Sequence, residues 1–243
     1  MTRFHDPRVP PSRGADRRPL LHVLVAPLLD PQLHPWTSYA SEYFVADRPA
    51  ATLLRTTDGI SGMLLIVMAV LSYSRARTLW RGLPGGLGAP ETAPPTRRRA
   101  RQAVRVWCAA LAVAGAATVV DAINPMTCAP SVSPECAAAE AAGTLPLQHH
   151  MHTVSSAVAG TAFVVAMLAS LVLSTAADRV IRIASWVGVV TIALSAVDAL
   201  LTRIPTEGIT QRISMVAIVV WLVAVAGLPV VDRVRAAPRA VAA

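Results

Sequence analysis

Ser155–Leu201 reads SSAVAGTAFVVAMLASLVLST, then AADRV, then IRIASWVGVVTIALSAVDALL. Each apolar run is long enough to cross a bilayer as a helix, for which about 20 residues suffice. The link between them, residues 176–180, allows only a tight helical hairpin. Arg179 and Arg182 stand at that hairpin, and basic residues beside a span resist translocation, so the turn is expected on the cytoplasmic side. The fold class that follows is all-α: a polytopic transmembrane helical bundle.

Three more apolar stretches extend the pattern outward from the hairpin. Residues 213–231 carry the chain back inward, and 232–243 form a basic tail with Arg233, Arg235 and Arg239, expected in the cytoplasm. Upstream, 106–123 follows an arginine-rich stretch, and 58–74 ends against Arg75 and Arg77. With 155–175 and 181–201 these give five clear spans. A degenerate sixth is a candidate at residues 19–31, where PLLHVLVAPLL (Pro19–Leu29) is short and contains His22 and Pro27. Residues 1–18 form a basic tail that itself prefers the cytoplasm, which is the argument for counting that sixth span; an interfacial segment and a cleaved signal peptide are the other readings. The transmembrane domain is thus 19–231.

Composition agrees with this division. The 243 residues are 54% hydrophobic and 15% charged, against about 25% charged in ordinary soluble domains. The net charge of +8 would fit nucleic acid if its placement did not argue otherwise. Every basic residue is arginine, concentrated in Arg3–Arg18, Arg75–Arg105 and Arg233–Arg239 beside apolar segments, so nucleic acid is not an expected partner and membrane lipids are. Arginine in place of all lysine fits a GC-rich bacterial genome and hence a bacterial cell membrane. Between Arg75 and Arg105, LPGGLGAPETAPPT and then RRRARQAVR read as a flexible loop. Its arginines serve either as a topology signal or as a site for anionic lipid heads.

The loop 124–152 contains no Arg or Lys, which places it on the extracytoplasmic side. Cys128 and Cys136 lie in TCAPSVSPEC, and in an oxidising compartment such a pair is expected to close a disulfide. If the next helix begins near Pro146, then His149, His152 and Ser156 share one helical face. Asp58, Asp121 and Asp198 lie near the same ends of other spans. Imidazole with carboxylate suits zinc, which would give a metal set of His149, His152 and Asp121 and a catalytic set of Asp121, His152, Ser156 and Asp198 for a hydrolase that activates water. The competing reading is structural: Asp58 as a helix cap, the other acids solvated or paired with Arg203 or Arg212, and the histidines hydrogen-bonded within a polar cluster. HPWTSYASEYFVADRP (34–49), with Trp36, Tyr39, Tyr43 and Phe44, reads as an interfacial aromatic belt. Signatures of soluble hydrolases and nucleotide-binding loops, GxSxG, HExxH and the P-loop, are not found.

SYASEY before the first strong span, DAINPMTCAPSVSPEC after the second and HHMHTVSSAVAG entering the third resemble the polytopic bacterial membrane family catalogued as domain of unknown function 998. The resemblance covers most of the chain. It implies about six spans, favouring the N-terminal one, and a motif that falls on Asp121, Cys128, Cys136, His152 and Ser155 or Ser156. It implies no settled activity. Membrane hydrolases of the alkaline ceramidase type, which use outer Ser, Asp and His residues to hold zinc, carry an HxxxH pair on a late span, and no late span here contains histidine. Three function classes therefore stand: a multi-pass membrane protein with a structural or lipid-sensing role in the envelope, a metal-dependent membrane hydrolase of a lipid or envelope substrate, and a small-solute transporter. The last would want broken helices and charges near mid-membrane, and the later spans show neither clearly.

Overall fold

The computed structural model describes residues 30–81, 95–201 and 206–226. The candidate sixth span (apart from its last two residues), both basic tails, the Gly- and Pro-rich stretch 82–94 and Arg203 lie outside the described residues.

Every regular element among the described residues is helical. A short 3-10 helix, Ala40–Phe44, precedes α1 (Ala51–Arg81), α2 (Pro95–Ile123), α3 (Pro134–Ala141), α4 (Leu147–Leu173), α5 (Arg179–Leu201) and α6 (Glu207–Ala226). Five of these, all but α3, are long and apolar enough to cross a membrane. The helices start upstream of the apolar runs that announce them, because polar first turns are still helical. The RRRARQAVR stretch is therefore part of α2 and not loop. Asp58 stands about two turns inside α1 and is not its cap.

The long helices pack in a row, α1 on α2, α2 on α4, α4 on α5 and α5 on α6, with α6 also touching α4. Without a hydrophobic force between helices in lipid, small residues decide how close they come. A Cβ on Gly62 would lie 2.6 Å from the Gly115 carbonyl oxygen, and one on Gly115 would lie 2.5 Å from that of Gly62, so α1 and α2 touch backbone to backbone. At Gly188 of α5 the missing side chain is replaced by Met167 of α4, whose Sδ would be 2.5 Å from an added Cβ. Trp107 of α2 donates its indole N–H to Ser170 Oγ of α4 at 3.0 Å, and Phe163 of α4 meets the buried Trp221 of α6 edge to face.

The two ends of this row differ. At one, Arg75, Arg77 and Arg81 close α1 and Arg98, Arg99, Arg101 and Arg105 open α2, with Arg105 stacked 5.6 Å from the Trp80 ring centroid. At the other, residues 30–50 and 124–146 form a cap with its own small core of Leu33, Tyr43, Phe44, Val45, Met126 and Ala129. Of the aromatic residues read as a belt, only Trp36 is strongly exposed; Tyr43 and Phe44 are buried in the cap. Arg212 pins this cap to α6: one terminal nitrogen donates to the carbonyls of Pro35 (2.7 Å), Ser38 (2.8 Å) and Gly208 (2.7 Å). Gly208 is required there, since a Cβ would come within 2.5 Å of the Ser38 oxygen.

Candidate functional site

Asp121 lies in the last turn of α2 and faces the first turns of α4. Its Oδ1 accepts from Ser155 Oγ, and its Oδ2 accepts from Ser156 Oγ at 2.6 Å. His152 Nδ1 lies 3.4 Å from Oδ1, an electrostatic contact. Pro146, at the N-cap, starts α4 where the sequence requires it, and one helical turn separates His152 from Ser155 and Ser156, so all three reach the same carboxylate. Ser155 also shares its proton with the Met151 carbonyl, 2.8 Å away. The result is a half-buried carboxylate with both oxygens occupied by neighbours from α4.

His149 points elsewhere. The Thr127 backbone N–H approaches His149 Nδ1 at 3.3 Å, which makes Nδ1 the acceptor and directs the ring proton on Nε2 toward Glu140 Oε1, 3.4 Å away. Glu140 belongs to α3, so this histidine joins α4 to the disulfide loop. Asp198 is separate again: it accepts from Thr206 and Thr210 at 2.7 to 3.1 Å and links α5 to α6. Of the alternatives for Asp198, a pair with Arg212 is not formed: one terminal nitrogen of Arg212 donates to carbonyls instead. Thus Asp121, His152 and Ser156 come together, with Ser155 added, whereas His149 and Asp198 do not join them. Among the described residues no three His, Cys, Asp or Glu side chains are grouped to hold a metal ion.

Cys128 and Cys136 are joined by a disulfide. Within and beyond it the chain read as loop contains α3, whose signals are Ser133 and Pro134: the Ser133 hydroxyl accepts from the Cys136 N–H at 3.1 Å and Pro134 occupies the first turn. Glu135 in that turn sits below the usual carboxylate range, held there chiefly by backbone and then Ser133 hydrogen bonds. Another buried acid lies in the cap. Glu42, with no exposed surface, accepts from the Tyr39 N–H at 3.3 Å and from Ser131 Oγ, and Ser131 in turn meets Ser38 Oγ at 2.7 Å. Burial pushes its carboxyl above the ordinary range, with the Ser131 bond opposing. Burial likewise raises Tyr39 and Tyr43.

Chemically, the order of the groups matters. A serine nucleophile needs imidazole between hydroxyl and carboxylate, but here the carboxylate lies between Ser155 and His152. Nor is the cluster open to either of two grooves on the bundle surface, between α2 and α4 and between α1 and α2, neither of which is lined by Asp121, His152, Ser155 or Ser156.

The fold is that of a multi-pass helical membrane protein. The family model described as Protein of unknown function (DUF998) matches residues 92–228, and the chain belongs to that family. The match spans α2 to α6 with the disulfide loop; the cap segment 30–50 and α1 precede it. No curated protein and no solved structure matches the chain.

Proposed function

We propose that this is a lipid-associated structural protein of its membrane, in which the Asp121 cluster holds the capped helix ends together and so fixes the surface offered to lipid. The observation that carries it is the saturation of Asp121: two hydroxyls and an imidazole from a single stretch of α4 meet both of its oxygens. An acid at a membrane edge is retained when it is paired, and here the partners tie α2 to α4. The cap faces the extracytoplasmic side in this reading, because the opposite end holds the exposed arginines. The test is thermal unfolding and lipid retention of Asp121→Asn and of a Ser155→Ala, Ser156→Ala double variant in mild detergent. Both should unfold earlier and lose bound lipid; wild-type stability in both would remove the cluster from this role.

A metal-dependent membrane hydrolase is the second reading, favoured by the convergence of Asp121 and His152 near Ser156. Zinc held at about 2 Å by Asp121 and His152 needs a third ligand, which His149 supplies only by leaving Thr127 and Glu140. Metal content of the purified protein against a His149→Ala, His152→Ala variant separates the two: stoichiometric zinc, lost in the variant, selects the hydrolase.

A further inference from the structure

One charged side chain at the capped end takes no part in these networks. Arg55, on the second turn of α1, donates Nε–H to the Ala122 carbonyl at 3.0 Å, which fixes the guanidinium plane. Its two terminal nitrogens meet no carboxylate within ion-pairing distance among the described residues. Below it runs the groove between α1 and α2, about 620 Å³, whose floor is lined by Ile60, Met63, Leu64, Val67 and Val119. Ile60, Met63 and Leu64 are all more than half exposed, as lipid-facing side chains are.

We propose that this groove seats one anionic glycerophospholipid, its phosphate on the free edge of the Arg55 guanidinium and an acyl chain along α1. Dimensions agree: Arg55 to Val67 rises about 18 Å along a helix, and the hydrocarbon of one leaflet is about 15 Å deep. The guanidinium edge offers paired donors in the geometry a phosphate accepts. No carboxylate lines the groove, so a choline or ethanolamine head finds no counter-charge, and the net-negative lipid is preferred. The groove between α2 and α4, about 610 Å³, supplies the internal contrast: lined by Val, Ala and one Thr, it has no charged residue and selects no headgroup.

This inference rests on the lipid-associated reading, and the experiment keeps them apart. The delipidated protein is offered micelles doped with phosphatidylglycerol or phosphatidylcholine, and retained lipid is counted by native mass spectrometry. Wild type should keep one phosphatidylglycerol in preference to phosphatidylcholine. Arg55→Gln, which can still reach the Ala122 carbonyl, should lose that preference by at least about fivefold, from the attraction of one arginine to an anionic head. Arg55→Lys should keep most of it. Gly59→Leu, which leaves Arg55 in place and fills the groove, should lower retention of both lipids. Unchanged selectivity in Arg55→Gln overturns the inference and leaves the lipid-associated reading standing; retention of neither lipid by wild type overturns both.

Discussion

At one end of the bundle Arg75, Arg77, Arg81, Arg98, Arg99, Arg179 and Arg182 all face outward. At the other, Arg212 is 4% exposed and Glu42, His149 and Ser38 are as fully enclosed. The first group is placed by what a membrane permits: a guanidinium at a span's end stays in water and needs no partner. The second is placed by what the chain can pair: Glu42, Ser38, His149 and one terminal nitrogen of Arg212 each meet a designated acceptor or donor. Charge at the arginine-rich end follows exposure, whereas charge at the capped end follows pairing and so shapes the chain.

Substitutions can break that contrast. The largest effect is expected from Asp121→Ala, which strips the acceptor from Ser155 and Ser156 and should cost about 3 kcal/mol, seen as earlier thermal unfolding. Next is Cys128→Ser with Cys136→Ser, which releases the loop and should cost about 2 kcal/mol, with faster hydrogen exchange in residues 127–136. A smaller effect is expected from Glu42→Gln, through pH. Because the folded carboxyl is raised, its protonated form favours the folded state. The stability it contributes is complete at or below the ordinary glutamate range and is lost as pH climbs through the raised value. Wild-type unfolding temperature should therefore fall over that climb, and Glu42→Gln should flatten the profile. Smallest of all, Arg98→Ala with Arg99→Ala should change stability by no more than about 0.5 kcal/mol. A loss there as large as that at Asp121 would erase the distinction between the ends.

The sequence is unequally informative about those two ends for the same reason. Spans and their arginine flanks are local patterns, so the hairpin at Asp178–Arg179, the start of α4 after Pro146 and the cysteine pair can all be read directly. Ser156 beside Asp121 follows once two helices are granted to be neighbours. The partners of Glu42 and Arg212 do not follow: Ser131 and the carbonyls of Pro35 and Ser38 lie far away in the chain, and a carbonyl has no sequence signature. His149 shows the limit clearly. Its position on a face with His152 and Ser156 is legible, but its partners are not: Thr127 comes from the stretch before α3, and Glu140 from α3 itself, a helix hidden in what looked like loop.

Arg212 has one more implication. The long helices form a row with α1 first and α6 last, and the 3-10 segment touches both. By fastening residues 35–38 to α6, Arg212 joins the two edges of that row at the capped rim, as a hoop joins the staves of a barrel. Strain or thermal motion that would part α1 from α6 is therefore resisted at the cap, where the last helix is bound to the segment that leads into the first.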